Sequence, residues 1–359
     1  MKIIFSGGGT LGPVIPLLAV KDAYQQKYPE TEFIWIGTKN GPECRIVEEQ
    51  NIPFIAIGAG KWRRYFSIVN LFDIFRAAAA FFQSLVILWR EKPHLLISGG
   101  GYVSVPLHWA AALLAIPAWV HQQDVRVGLA NKLMMPFARK VTTALKETAQ
   151  ALVRRKAEWI GNPSRDLSVA DEAAARERFH IPADASVIFA LGGGTGSASI
   201  NNLIIEALPQ WPREWHVIHL VGRERPAVKA LGAEQIFNNY HVYQFFTSEM
   251  KDAYAIADVV VARAGFSTLT ELAALSKAAV ILPMFGTHQE DNARYFAQNN
   301  GIVMLTHAMA SGLTLAQEVK KLVLDQEARR ELGGRLHRLL PRAKPEKLVE
   351  IIGVLTRGI

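Results

Sequence analysis

The tetrapeptide Gly-Gly-Gly-Thr occurs twice in this chain, at 7–10 and at 192–195. Each copy follows a short apolar run, Lys2 to Ser6 and Ser186 to Leu191, and precedes a segment that reads as a helix. Strand, glycine turn and helix open a βαβ unit, because glycine lets the backbone turn sharply and approach a ligand closely. A third triple glycine, Gly99 to Gly101, closes the run His94 to Ser98. With 359 residues the chain exceeds one typical core, so the two openings predict two α/β domains.

Apolar runs and helical segments alternate along the whole chain. Strands are expected at Phe33 to Ile36, Phe54 to Ile57, Ala118 to His121, Val217 to Val221, Val242 to Phe245, Val259 to Ala262 and Ala279 to Leu282. Helices are expected over Pro13 to Tyr28, Pro106 to Leu114 and 168–180. Such alternation predicts two Rossmann-like, doubly wound parallel sheets facing one cleft, with ligand loops at the strands' C-terminal ends. The domains are read as 1–160 and 161–341, hinged at Gly161-Asn162-Pro163, with a terminal helix in 342–359 returning to the first. The second strand runs into Gly37-Thr38-Lys39 without the acid that holds a ribose in NAD enzymes, which disfavours that cofactor.

Asp258 to Asn292 carries the densest chemistry. Ser267 and Thr268 precede an apolar run, and Glu271 lies three residues after Thr268, the spacing of a capping box. A helix starting there would turn its N–H groups and positive dipole end toward an anion such as a diphosphate. Glu271, in the first turn, could accept hydrogen bonds from a ribose diol. The segment Gly286 to Asn292 reads as a polar loop able to bond sugar hydroxyls. An ordinary capped helix between two strands accounts for the same stretch.

The net charge of +8 admits nucleic acid, anionic lipid or phosphorylated partners. Aromatic residues are not interleaved with Arg and Lys, so no nucleic-acid partner is expected. A lone Cys44 excludes internal disulfides and suits a reducing cytoplasm, and MKIIFSGGG does not read as a signal peptide. The region Tyr65 to Trp89 is apolar nearly all round, but its unbroken part falls short of the ~20 residues that span a bilayer. Flanked by Lys61, Arg63, Arg64 and Arg90, it suits a peripheral surface resting on an anionic bilayer, or a core helix with solvated ends.

Several motifs in order resemble the MurG-like transferases of glycosyltransferase family 28, which have the GT-B fold. They are GGGTLGPVIPLLAV at 7–20, SGGGYVSVP at 98–106, HQQDVRVGLANKL at 121–133, GNPSR at 161–165, GGGTGSASIN at 192–201, RAGFSTLTELAA at 263–274 and HQEDNA at 288–293. The resemblance implies transfer of N-acetylglucosamine from UDP-GlcNAc to an undecaprenyl-diphosphate-linked muramyl-pentapeptide at the cytoplasmic membrane face, with UDP-GlcNAc as substrate and no cofactor. It places the donor on Arg165, Gly194, Thr195, Phe246, Arg263, Phe266, Ser267, Thr268, Leu269, Thr270, Glu271, Gln289 and Asn292. It places the acceptor diphosphate on the loops Thr10, Leu11, Gly12 and Gly99, Gly100, Gly101.

The chain departs from the family pattern at Leu11 and Pro13, which stand for a glycine and a histidine, and at Asp124, which ends HQQD where HEQN is usual. No DxD-like metal pair stands at a strand end, so helix dipoles and Arg165 or Arg263 would replace a metal. Asp124 is a candidate base, or equally an Asx-type turn residue; His121 reads as a satisfied strand-end histidine. A different acceptor, a UDP-GlcNAc 2-epimerase and a non-catalytic nucleotide-sugar scaffold are the competing functions.

Overall fold

The computed structural model describes residues 1–58, 69–169, 171–223, 225 and 227–357. Its chain divides into two compact units, Met1–Arg165 with Arg342–Ile359, and Asp166–Pro341.

The first unit carries strands β1 (Lys2–Ser6), β2 (Glu32–Thr38), β3 (Phe54–Ile57), β4 (Leu95–Ser98), β5 (Ala118–Gln122), β6 (Lys140–Thr143) and β7 (Glu158–Trp159). Helices α1 (Val14–Lys27), α2 (Glu43–Glu49), α3 (Val69–Glu91), α4 (Ser104–Leu113), α5 (Leu129–Met134) and α6 (Lys146–Ala151) connect them. The seven strands lie in the order β3-β2-β1-β4-β5-β6-β7, all parallel. Central strands covered on both faces read as unbroken apolar runs, and Ile3, Ile4, Phe5, Leu95, Leu96 and Ile97 are fully buried.

The second unit begins with α7 (Glu172–Arg178), shorter than the sequence suggested because Asp171 caps its start and Phe179 ends it. Strands β8 (Val187–Leu191), β9 (His216–Leu220), β10 (Tyr240–Tyr243), β11 (Val259–Ala262), β12 (Ala278–Ile281) and β13 (Val303–Met304) form a second parallel sheet, ordered β10-β9-β8-β11-β12-β13. Its helices are α8 (Ala198–Ala207), α9 (Val228–Glu234), α10 (Met250–Ile256), α11 (Phe266–Ala274), α12 (His288–Gln298), α13 (Gly312–Leu324) and α14 (Gln326–Leu339).

The closing helix, α15 (Pro345–Thr356), belongs to the first unit, where Leu348, Ile352 and Leu355 pack with Leu17, Val20 and Tyr24 of α1. The outgoing segment 161–165 also stays with that unit, five residues beyond the boundary read from sequence. Asn162 bridges Arg342, Ala343 N–H donates to Asn162 O at 3.0 Å, and Arg342 Nε donates to Ser164 O at 3.1 Å. His121 anchors the pair from β5. Trp119 Nε1 donates to Thr142 Oγ1, whose hydroxyl is therefore free to donate to His121 Nδ1, leaving Nε2–H for Asn162 Oδ1 at 2.8 Å. Burial pushes His121 down to about 4, so it is a neutral structural histidine.

Each sheet reverses its winding once, between β1 and β4 and between β8 and β11. The loops after these four strands are the glycine turns and the 263–265 turn. In doubly wound sheets ligands bind at such switch points.

Candidate functional site

In the second unit the glycine turn 192–196 leads from β8 into α8. Gly196 must be glycine: a Cβ there would stand 2.3 Å from Val221 O, and its φ is +80°. Ser197 caps α8 by accepting from Ile200 N–H at 3.3 Å.

On neighbouring β11 the helix start differs from the capping box expected. Gly265 is the cap residue of α11 and, being glycine, offers no side chain to cap it. Extended backbone at Gly265 starts the helix at Phe266, so Ser267 and Thr268 fall in its first turn and Glu271 in its second. Phe266, Leu269 and Thr270 are buried, and only the half-buried Ser267 and Thr268 present accessible side chains beside the first-turn backbone. Glu271 is 5% exposed, and Tyr254 Oη donates to its Oε2 at 3.1 Å.

Arg263 joins these turns. Its Nε donates to Ser197 Oγ at 3.0 Å, Nη2 to Ser199 Oγ at 2.7 Å, and Nη1 to the carbonyls of Leu282 and Pro283 at 3.0 Å. The guanidinium is part-buried, burial lowers its pKa, and no carboxylate among the described residues pairs with it. A part-buried cation bonded only to neutral oxygens is stabilised by an anion placed at its open side.

The polar loop expected over 286–292 is helical from His288, because Thr287 caps α12 and accepts from Gln289 N–H at 3.3 Å. Gln289 Oε1 accepts from Met284 N–H at 3.1 Å. Asn292 is fully buried and its Nδ2 donates to Ala264 O at 3.4 Å, so it braces the 263–265 turn from behind. Phe246, after β10, packs its ring among Phe179, Phe189 and Tyr243, leaving its backbone as the part a ligand could meet. Gly194 and Thr195 are half-buried at the turn; Arg165 is half-buried at the end of the first unit.

In the first unit the two glycine turns pack on each other. A Cβ on Gly101, at φ +98°, would lie 2.7 Å from Gly8 O, and one on Gly9 would lie 2.9 Å from the Tyr102 ring. Beneath them sits Glu43, which sequence reasoning missed. It is fully buried at the start of α2; Oε1 accepts from Thr38 N–H at 2.7 Å and from the Thr38 hydroxyl, and Oε2 accepts from Gly9 N–H at 3.2 Å. Cβ atoms on Gly8 or Gly41 would collide with its carboxylate. These two glycines therefore make room for the buried side chain of Glu43. The signal was an acid just after Gly41-Pro42 at a helix start, where carboxylates are favoured.

Asp124 lies half-buried in the bend after β5, and its backbone carbonyl accepts from Gln122 Nε2 at 2.7 Å. Thr10, Leu11 and Gly12 are at least partly exposed, and the 99–101 turn lies against Gln123 and Asn131.

The glycosyltransferase family 28 N-terminal domain matches residues 3–143, and its C-terminal domain matches residues 187–335. A UDP-N-acetylglucosamine--N-acetylmuramyl-(pentapeptide) pyrophosphoryl-undecaprenol N-acetylglucosamine transferase of Lachnospira eligens is 32% identical over 330 residues, covering 90% of this chain and 92% of the relative. The crystal structure of Acinetobacter baumannii MurG superposes with a TM-score of 0.75 at 25% identity, over 98% of this chain and 99% of that one. A UDP-GlcNAc 2-epimerase from Neisseria meningitidis superposes with a TM-score of 0.68 over 98% and 99% of the two chains, but at 13% identity it shares the fold alone. With both domains matched and this identity over nearly its full length, the chain belongs to glycosyltransferase family 28, in the group of the MurG-type N-acetylglucosamine transferases, and its fold is GT-B.

Proposed function

We propose that the chain is an inverting transferase that moves N-acetylglucosamine from UDP-GlcNAc to an undecaprenyl-diphosphate-linked muramyl-pentapeptide, the lipid I to lipid II step of peptidoglycan synthesis. UDP-GlcNAc is a substrate in this reading, and no cofactor is required.

The observation that carries it is Arg263, a part-buried cation with no carboxylate partner among the described residues, tied to the β8 turn and standing at the base of α11. In the reaction, the acceptor hydroxyl oxygen bonds to the anomeric carbon as the bond to the UDP diphosphate breaks, and UDP departs with the electron pair. Charge growing on that diphosphate is met by Arg263, Arg165, the 194–195 turn and the first-turn N–H groups of α11. Glu271 holds the ribose through its oxygens, with Tyr254 orienting it; Gln289 contacts the sugar, and Asn292 acts through the turn it braces. Phe246 offers its backbone to the uracil. Asp124 takes the acceptor proton as general base. Thr10 to Gly12 and Gly99 to Gly101 receive the acceptor.

Docking on the membrane is assigned to α3. Among the described residues no helix is long and apolar enough to cross a membrane. One face of α3, with Ala80, Ser84 and Leu88, is buried; Phe82, Val86 and Trp89 on the other are exposed, Trp89 by 70%. Leu113 of α4 extends this patch across a groove lined by Leu85, Val86, Trp89 and Leu114. A core helix accounts for only one of these faces. The basic flank Lys61, Arg63 and Arg64, with 65–68 of the ridge, lies outside the described residues.

The test is transfer of labelled N-acetylglucosamine from UDP-GlcNAc to lipid I in detergent. Labelled lipid II is the expected product. UDP-GlcNAc bound without transfer to lipid I would reject this acceptor.

A further inference from the structure

The amides around the 99–101 turn are oriented by their own hydrogen bonds. Gln122 Nε2 donates to the carbonyls of Asp124 and Arg126, so its Oε1 must be an acceptor, and it takes Asn131 Nδ2 at 2.6 Å. That fixes Asn131 with Oδ1 outward, against Gly100, where a Cβ would lie 3.3 Å from it. Gln123 Nε2 donates to Gly99 O at 3.4 Å, which fixes its Oε1 likewise.

Gln123 is 4% exposed and Asn131 6%, yet neither Gln123 Oε1 nor Asn131 Oδ1 has a donor among the described residues. Two buried acceptor oxygens beside one turn are costly unless a donor arrives. A diphosphate brings none, and the Glu43 carboxylate already takes the Gly9 N–H of the turn packed alongside.

We infer that Gln123 Oε1 and Asn131 Oδ1 form an acceptor-sugar subsite that takes O–H or N–H donors of the N-acetylated muramyl residue, leaving its diphosphate to Thr10–Gly12. The subsite rests on the transferase reading. Neutral sugar donors match these two acceptor oxygens; phosphate oxygens oppose them. Gln123 and Asn131 thereby select the acceptor and position it beside Asp124, one residue along from Gln123.

The experiment compares wild type with Gln123→Met and Gln123→Glu, the second of which keeps an acceptor oxygen. Acceptors are intact lipid I, analogues lacking single sugar hydroxyls or carrying an N-methylated acetamido group, and one lacking the diphosphate. The expected result is a KM for lipid I about tenfold higher in Gln123→Met, the worth of one neutral hydrogen bond, with partial rescue in Gln123→Glu and an unchanged KM for UDP-GlcNAc. With the one analogue that lacks the paired donor, wild type and Gln123→Met should be equal. The same loss with every sugar analogue would assign the oxygens to a buried water and overturn the subsite, as would a loss that disappears only when the diphosphate is removed. If wild type binds UDP-GlcNAc in calorimetry but makes no lipid II, the transferase reading fails instead, before the variants are compared.

Discussion

The two switch points share an architecture but differ in polarity. Between β8 and β11 a part-buried guanidinium ties the glycine turn to the neighbouring loop, beside a helix start whose cap residue is glycine. Between β1 and β4 the corresponding turns close over a buried carboxylate, and two buried amide oxygens lack donors. In the proposed reaction the first arrangement meets a leaving diphosphate and the second a hydroxylated, N-acetylated sugar. A glycine turn therefore sets how closely a ligand can approach, while its charge preference comes from residues elsewhere, here Arg263 and Glu43.

The sharpest way to break this contrast is at the acceptor side. Asp124→Asn should lower kcat about a thousandfold at unchanged UDP-GlcNAc binding, the usual scale for losing a general base. A steady-state assay showing near-normal kcat would leave Asp124 as a turn residue only.

Acid should weaken both units through their buried histidines. Burial pushes His108 and His121 down to about 4 in the first unit and His219 to about 3 in the second. Their folded pKa values lie below the unfolded value, so the unfolded chain takes up protons first. The stability they contribute is complete above about pH 6.5 and falls as the pH drops toward 4, by roughly 3 kcal/mol each. Denaturation followed across that range should show the decline, and His121→Gln should flatten its share of it.

On the donor side, Arg263→Met should lower kcat/KM for UDP-GlcNAc about a hundredfold, the scale of losing one preorganised donor to developing charge. Arg263→Lys should recover part of that, since it keeps the charge but not the fork. Equal losses for both variants would point to collapse of the Ser197–Leu282 scaffold and undo the electrostatic half of the comparison. A smaller effect, about tenfold on donor KM, is expected for Glu271→Gln, which keeps a partner for Tyr254 while removing the charge that holds a diol. Isothermal titration with UDP-GlcNAc would reveal an unchanged affinity if Glu271 only supports the core. Smallest in catalysis should be Trp89→Glu: near-normal turnover in detergent, but reduced cosedimentation with anionic vesicles.

Much of the fold was legible in the chain. Apolar runs of four to seven residues located most strands, three of them closed by triple glycines, since strands buried on both faces need continuous hydrophobicity. The short β6 and β7 at the sheet edge escaped because their runs, KVTT and EW, carry little of that signal. The motif order also pointed to the family. What sequence misplaced was polar. Ser267, Thr268 and Glu271 have capping-box spacing, but the backbone leaves β11 extended through Gly265, which starts the helix early and carries Glu271 into a buried contact with Tyr254.

Local pattern thus determined the sheets, their turns and the two-unit plan, because periodicity and glycine conformational freedom act within a few residues. Arg263 was already named from the sequence, but which groups each switch point gathers was decided by tertiary structure. Glu43 reaches Gly9 across 34 positions and Arg263 reaches Ser197 across 66, contacts that exist only once the parallel sheets have brought the strand ends together.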